Sequence, residues 1–445
     1  SPLMKAKNRG RPQSLFYFIL LASFLPISLL IYLGALFSRI TSRTNSKMPT
    51  AGINILLTGG KMTKSLQLAR LLNRAGHNVY LSETSKFRFT GHKFSSHIEK
   101  FFKLPNVIDG YDAYFKNVQQ IVKRHQINLI IPVASPKIVY FDSEVKEALQ
   151  DDCEFFHFDK NTLEILDNKY LLCKTAKDLN ITAPEVHYIV DREQLNTFDF
   201  KARSKKYILK SLTYNPLERL NRPQLPFPDQ VNYFGGLTIS KKNPWVLQEF
   251  VDGVEYCTHS TVRDGKILLH CCCLSSDFQL RYKHVEHDKI FEWVETFVAK
   301  LKLSGQISFD FIQNSKGEIL PIECNPRTHS AITSFYNSEY LAEAYVASGL
   351  NSRQPVLPEV DARETYWLYH ELFDLFSNFT LSNIKEKITL LLNGKEAIFD
   401  EKDPLPFLMV YHWQIPNLLA RAIISGERWL RIDFNIGKLV EPGGD

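Results

Sequence analysis

The chain has 445 residues, 44% of them hydrophobic and 12% aromatic, which supplies several buried cores and excludes a disordered chain. Its net charge of +6 comes from 54 Lys and Arg against 48 Asp and Glu. Seven of the basic residues and no acidic one lie in residues 1–47, so the remainder is close to neutral and a basic nucleic-acid surface is excluded.

The first predicted element is the uncharged run Leu15 to Phe37, flanked by Arg11 on one side and by Arg39 and Arg43 on the other. As a helix it would be about 35 Å long, sufficient to cross a bilayer, and residues 1–47 are expected to associate with a membrane. Pro26 lies mid-run. Two topologies are open: a single span, or a hairpin split at Pro26 with both basic flanks on the cytosolic side. In either, the catalytic part is expected in the cytoplasm.

Residues 48–160 read as an α/β, doubly wound domain. Ile53 to Leu57 is a buried strand entering the turn Gly59-Gly60-Lys61, a helix carries Leu66, Ala69, Leu71 and Leu72, and a second strand covers Asn78 to Ser82. Val118 to His125 and Asn128 to Val133 repeat the helix–strand pattern. The Gly59-Gly60 pair lacks a G-x-G-x-x-G fingerprint and its acidic partner, so this domain is expected to hold no cofactor of its own.

Residues 161–350 read as α+β, with a smaller lobe at about 180–250. A helix opens near Lys169, with Asp159 or Asp167 as its cap, and Tyr207 to Lys210 is a short strand ending in lysine. The plain reading of Lys210 is a solvent-facing residue, like Lys205 and Lys206; the three apolar residues before it and the long segment after it set it apart. The proline-bearing stretch Ser211 to Asn232 is expected to be a lid or disordered. Gln248, Glu249, Phe250 and Val251 close a strand before Gly253, with Glu255 opening the next. Strands through Cys271-Cys272-Cys273 follow; adjacent strand residues face opposite ways, so the three thiols are not expected to gather on one metal, and seven cysteines in this pattern do not form a disulfide framework.

The most informative segment is a hairpin from Gln306 to Arg327. Alternation puts Ile307, Phe309 and Phe311 on one face and Asp310 on the other, and separates Glu323, Asn325 and Arg327 from Ile322 and Cys324. A turn centred on Ser315 and Lys316 would place Asp310 opposite Pro321 and diagonal to Glu323, roughly 7–8 Å away. Asp310, Glu323 and Asn325 would then offer hard oxygen ligands to Mg²⁺ beside a nucleotide's phosphates, with Arg327 as a phosphate partner. Acidic residues kept on an exposed strand for solubility are the competing reading.

Taken in order, Lys169, Lys210, Gln248-Glu249-Phe250-Val251, Gly253-x-Glu255, Asp310 and Glu323-x-Asn325-x-Arg327 resemble the ATP-grasp superfamily over roughly residues 48–350. The resemblance implies ATP between two α+β lobes, phosphates held by Lys169 and Lys210, adenine against Gln248 to Val251, ribose at Glu255, Mg²⁺ on Asp310, Glu323 and Asn325, and Arg327 at the transferred phosphoryl group. The usual glycine-rich lid is absent after Lys210. More narrowly, the apolar N-terminus, Asn54 to Gly60, Glu323-Cys-Asn-Pro-Arg-Thr-His329 and the C-terminal extension are similar to the mycosporine-glycine synthases, which join glycine to the cyclic enolone 4-deoxygadusol. Catalytic roles for Arg327 and Lys210 follow from the ATP-grasp resemblance, and Arg281, between a strand and a helix, either faces an anionic substrate or the γ-phosphate or is a plain solvated loop arginine. Thr328, His329 and Ser330 either line the acceptor pocket or form a plain loop, and His284-x-x-His287 lacks a third zinc ligand. A carboxylate–amine ligase working through an acyl-phosphate and a membrane-tethered nucleotide-binding scaffold are the alternatives.

Residues 351–445 are expected to be mostly helical. Aromatic and apolar stretches such as Pro406 to Trp413 either pack a core or offer a surface to the membrane, a pathway enzyme or a second copy of the chain.

Overall fold

The computed structural model describes residues 10–41, 52–133, 135–213, 222–276, 280–346 and 354–442. Helix α1 (Arg11–Thr41) precedes β1 (Asn54–Leu57), α2 (Thr63–Arg74), β2 (Asn78–Thr84), β3 (Lys100–Leu104), α3 (Tyr111–His125), β4 (Leu129–Ile131), α4 (Val139–Leu149) and β5 (Glu154–Phe155). The five strands form one parallel sheet in the order β3-β2-β1-β4-β5. Ile55, Leu56 and Leu57 are all fully buried, because both faces of a parallel sheet are covered by crossover helices. Ile55 and Leu57 pack with Leu68, Ala69 and Leu72 of α2, whereas Leu56 packs with Val118 and Val122 of α3. Between β1 and α2 the chain turns at Gly59, where φ is +65° and a β-carbon would stand 2.0 Å from the Val133 carbonyl. Only glycine fits so close to the end of β4.

Two short helices, α5 (Lys160–Asp167) and α6 (Lys169–Asp178), stand where one was expected. Asp159 caps the first, and Asn168 caps the second by accepting from the N–H groups of Tyr170 and Leu171. Asn168 is therefore the cap in place of Asp167, since its short amide folds back onto the free donors of the new helix. Strands β6 (Val186–Ile189), β7 (Tyr207–Ser211) and β8 (Trp245–Glu249), with helices α7 (Arg192–Asn196) and α8 (Gln230–Gly235) between them, make an antiparallel sheet in the order β6-β8-β7. Within the expected lid, residues 214–221 lie outside the described residues. Its later part is ordered: Leu225 is buried and exchanges two backbone hydrogen bonds with Tyr207, and α8 follows.

Next come β9 (Val254–Arg263), β10 (Lys266–Leu274), β11 (Arg281–Tyr282), α9 (Asp288–Lys300), β12 (Gly305–Gln313) and β13 (Ile319–Asn325). Strands β10-β9-β12-β13 form an antiparallel sheet. One face, with Ile307, Phe309, Phe311, Cys272 and Cys324, packs on Trp293 and Phe297 of α9 and on α5 and α6. The opposite face carries Cys257, Cys271 and Cys273 into the core that includes α2, so the cysteine triplet splits between two cores and all seven thiols are reduced.

The remaining elements are α10 (Leu341–Tyr345), β14 (Thr365–Tyr366), α11 (Leu368–Ser377), α12 (Leu381–Asn393), β15 (Lys395–Glu396), α13 (Leu405–Met409), α14 (Ile415–Ser425), β16 (Arg431–Asp433) and β17 (Lys438–Val440). They form a helical unit with two small sheets, β11-β14-β15 and β16-β17. Arg70 of α2 anchors this unit to the parallel sheet: its guanidinium donates to Asp403 Oδ2 at 2.9 Å and to the carbonyls of Ile398 and Asp403, all buried.

Helix α1 runs unbroken through Pro26, which removes the split-hairpin topology. The single backbone bond lost at proline is outweighed because contacts hold the helix on both sides. Leu21 is buried against the C-terminal helices, Ser14 Oγ accepts from Trp429 Nε1 at 2.8 Å, and Ser28 Oγ bonds to Tyr369 and His412. The helix is long and apolar enough to cross a membrane. Ser14 and Ser28 face the protein, while Leu30 and Phe37 are 70% and 69% exposed.

Candidate functional site

The β12–β13 pair places Asp310 directly opposite Glu323, next to the pair Ser308 and Asn325. The expected register was one residue off beside the turn, where Phe311, not Asp310, faces Pro321, and two off at Asp310, because the pairing shifts between Asp310 and Phe311. Pro321 has no N–H to give the ladder, and a bulge beside it accommodates Ile322 as an extra residue. The shift moves Glu323 from a diagonal to a facing position, where Cα atoms are about 4.5–5.5 Å apart. On the other side of β12, Asp310 pairs with Cys257 and Ile312 with Glu255, so Glu255 shares the face of Asp310 two residues along β9. Ser308, Asp310, Glu323, Asn325 and Glu255 thus occupy one surface, with Phe309 and Cys324 turned into the core behind them.

Two lysines approach this surface from different elements. Lys169, the first residue of α6, holds Nζ 3.8 Å from Glu323 Oε1. Lys210, next to the end of β7, is buried, unlike Lys205 and Lys206, with Nζ 3.5 Å from the Ile322 carbonyl. Burial pushes the Lys210 ammonium down to about 7; Lys169 and Arg222 push the same way and Glu323 opposes them. A lysine so desolvated gains most from an anion delivered to it. Asp167 joins the group: burial raises its carboxyl above the usual range, Lys169 and Arg327 pull it back, and Tyr140 donates to it at 3.2 Å.

Gln248 is buried on β8, and its Oε1 has no partner among the described residues. Glu249 accepts from the Glu185 N–H at 3.0 Å and from Lys205 at 3.2 Å, while the Phe250 N–H donates to the Lys206 carbonyl and Val251 is buried. A cleft of about 460 Å³ opens against Ser204 to Lys206, Gln224, Glu249, Phe250 and Asp252. It contains neither Lys210 nor Asp310, so it marks the outer edge of the β8 segment and not the centre of the carboxylate cluster.

Arg281 is held elsewhere. Its Nε and Nη2 donate to Glu371 at 2.9 and 2.8 Å and its Nη1 to Glu386 at 2.7 Å, which binds β11 to α11 and α12. The loop arginine expected to meet a substrate instead anchors the C-terminal helices. His284 Nδ1 accepts from the Cys272 N–H and His287 Nδ1 caps α9 at Ile290. Among the described residues no group of three or more His, Cys, Asp or Glu is arranged for a metal ion.

Two lysines missed from sequence come from the glycine turn. Lys64 is buried with Nζ donating to the Thr328 carbonyl at 2.8 Å, one residue beyond Arg327. Burial, then Arg327 and Lys61, push its ammonium down to about 7. Half-buried His329 is pushed to about 3 by desolvation, then by Lys64 and Arg327. The available signal was the pair Lys61 and Lys64 on a short turn leaving a parallel strand, a place where ligands gather without any dinucleotide fingerprint.

The donor set of two facing carboxylates and a neighbouring amide fits a hard divalent cation such as Mg²⁺, and the adjoining lysines fit phosphate oxygens. No protein-family model matches the chain, and no curated protein matches it. Among solved structures, N5-carboxyaminoimidazole synthetase from Staphylococcus aureus complexed with ADP aligns with 72% of this chain and 82% of its own, at a TM-score of 0.51 and 11% identity. A second structure of that enzyme gives 72%, 83%, 0.51 and 12%. The L-amino acid ligase from Bacillus licheniformis aligns with 64% of this chain and 70% of its own, at 0.48 and 15%. At these identities the likeness is one of fold, and it is the ATP-grasp fold.

Proposed function

We propose that the chain is an ADP-forming ATP-grasp ligase that joins an amino acid, glycine in the closest reading, to a cyclic enolone of the 4-deoxygadusol type. The observation that carries the enzymatic reading is the facing pair Asp310 and Glu323 with Lys169 3.8 Å from Glu323, on a fold shared with an ADP-bound synthetase. The choice of acceptor rests on the likeness of Asn54 to Gly60 and Glu323 to His329 to the mycosporine-glycine synthases. In this reading residues 48–160 precede a grasp core of 161–350, and 351–445 extend it.

Lys169 and Lys210 hold the nucleotide's phosphates, the Gln248 to Val251 segment meets the base, and Glu255 meets the ribose. Asp310, Glu323 and Asn325 would hold magnesium, which when bound would screen the charge on the transferring phosphoryl group. Arg327 follows this set by two residues and stabilises the same charge. An enolic oxygen of the ring attacks the γ-phosphorus and ADP departs with the bridging oxygen. The amine then adds at the phosphorylated carbon, phosphate leaves with the C–O electron pair, and the amine loses its proton to solvent. Hydroxide is a poor leaving group and phosphate a good one, which is why ATP is consumed.

The exposed face of α1 is assigned to lipid, with the catalytic part on the cytoplasmic side. The deciding experiment incubates the purified full chain in detergent with Mg-ATP, 4-deoxygadusol and glycine, following ADP release and product mass. ADP appearing with the glycine adduct, and only with both acceptors present, is expected; no ADP from a folded, nucleotide-binding sample refutes this pair of acceptors.

A further inference from the structure

A second constellation lies beyond Arg327, built from three parts of the chain. The glycine turn and start of α2 bring Lys61 and Lys64, the segment after β13 brings Thr328 to Ser330, and the β16–β17 hairpin brings Asp433 to Lys438. These parts are locked together. The Thr63 N–H donates to the Asn435 carbonyl at 2.9 Å, Asn435 Nδ2 donates to Ser330 Oγ at 2.6 Å, and Gln414 Nε2 bridges the carbonyls of Lys61 and Gly437 at 3.1 and 3.0 Å. At Gly437 φ is +72° and a β-carbon would stand 2.0 Å from the Lys61 carbonyl, so the hairpin is pressed onto the glycine turn.

The seam has two kinds of unmet need. Lys61 and Lys64 are both buried, and Lys64 feels Arg327 and Lys61 as like charges with Asp433 as the opposing one. Glu83 accepts from the Lys61 N–H at 3.0 Å, and Lys61 Nζ rests over the Phe87 ring at 4.5 Å. Among the described residues, the buried oxygens Thr328 Oγ1 and Asn435 Oδ1 have no hydrogen-bond partner. Burying ammonium groups and leaving polar oxygens unmet both cost free energy, and a ligand that brings negative charge together with hydroxyl groups answers both.

We infer that the seam between Lys61–Lys64, Thr328 and Asn435 is the acceptor pocket, and that it takes a small hydroxylated ring as its oxyanion. This deepens the proposed function and rests on it. Lys64 receives the anionic oxygen close to Arg327, and Thr328 and Asn435 meet ring hydroxyls. The C-terminal hairpin is then a wall of the pocket and not only an extension.

The test is calorimetric titration of the full chain with ADP and, separately, with 4-deoxygadusol, for wild type, Lys64→Met and Asn435→Ala. Methionine keeps the length of the lysine stem and removes a buried charge, so a folded protein is expected; ADP affinity within twofold of wild type checks it. The pocket predicts enolone affinity at least tenfold weaker in Lys64→Met and severalfold weaker in Asn435→Ala. Enolone binding unchanged in both variants overturns the pocket while leaving the ligase reading in place. A wild type that binds ADP and not the enolone overturns the choice of substrate, and the pocket's ligand class with it.

Discussion

Lys169 Nζ and Glu323 Oε1 lie 3.8 Å apart, joining the helix capped by Asn168 to the strand that ends at Asn325. Each partner has a separate task in the proposed reaction, the lysine on phosphate and the carboxylate on the metal. Glu323→Gln keeps size and hydrogen bonding but loses the charge. Turnover is expected to fall at least a hundredfold, about 2.7 kcal/mol in activation free energy, with ADP affinity changed much less. An ADP-release assay beside equilibrium binding checks it; unchanged turnover removes Glu323 from the chemistry.

Arg281 was expected at a substrate and is found on Glu371 and Glu386. Breaking a buried ion pair from one side costs about 3–5 kcal/mol. Arg281→Met should therefore lower the urea midpoint strongly while the folded fraction turns over within threefold of wild type. A stable variant with turnover reduced a hundredfold would return Arg281 to the active site.

Arg70 and Asp403 are the corresponding bond between the parallel sheet and the C-terminal unit, each with its side chain 2% exposed. Although burial raises the Asp403 carboxyl, its bonds to His97, Ser95 and Arg70 hold it well below the ordinary carboxylate range. That stabilisation is complete above about pH 4, the unfolded value, and is lost as pH falls below it. Asp403→Asn should flatten the acid limb of the stability profile, measured as the urea midpoint from about pH 6 to 3. A limb of unchanged steepness contradicts the assignment.

Lys64 works in the opposite pH range. Its folded value of about 7 lies below the unfolded 10.5, so between these the unfolded chain holds a proton that the folded chain has released. Ligand-free stability should rise as pH increases through this window, with the full penalty present below 7. Lys64→Met should be more stable than wild type near pH 6, with the difference closing towards pH 10. Equal differences at both ends would mean that the lysine is not desolvated.

Exposed Leu30 and Phe37 on α1 give a direct test of the lipid assignment. Changing both to Asp should release the chain from phosphatidylcholine–phosphatidylglycerol vesicles in flotation, since charged groups on a lipid-facing helix cost about 2.5–3.5 kcal/mol each. Ser28→Val, by contrast, should cost about 1–3 kcal/mol of stability by leaving Tyr369 and His412 without their shared hydroxyl, without loss of flotation.

The parallel sheet and the strand pair were legible because their evidence is local. Ile53 to Leu57 is an apolar run ending in glycine, and Phe309 and Phe311 alternate with Asp310 on a period of two. The register of Asp310 against Glu323 was not legible, since a bulge beside Pro321 adds one residue that no hydropathy pattern records. Lys64 was hidden for a different reason. Its environment is made by Thr328 and by a hairpin more than 360 residues further along, and a helix-start lysine looks solvated until those arrive. Arg281 was misplaced in the same way, because its carboxylate partners lie on helices about a hundred residues downstream.

Helix α1 imposes a condition on synthesis. Ser14 bonds to Trp429, 415 positions later, so its docking surface does not exist when the helix leaves the ribosome. At roughly 5–20 residues per second the delay is about 20–80 s. For that interval a 31-residue helix rich in Leu, Ile and Phe needs another apolar host. A bilayer serves, and the nascent chain would then be anchored before its catalytic part has folded, with the C-terminal helices closing onto a helix already in place.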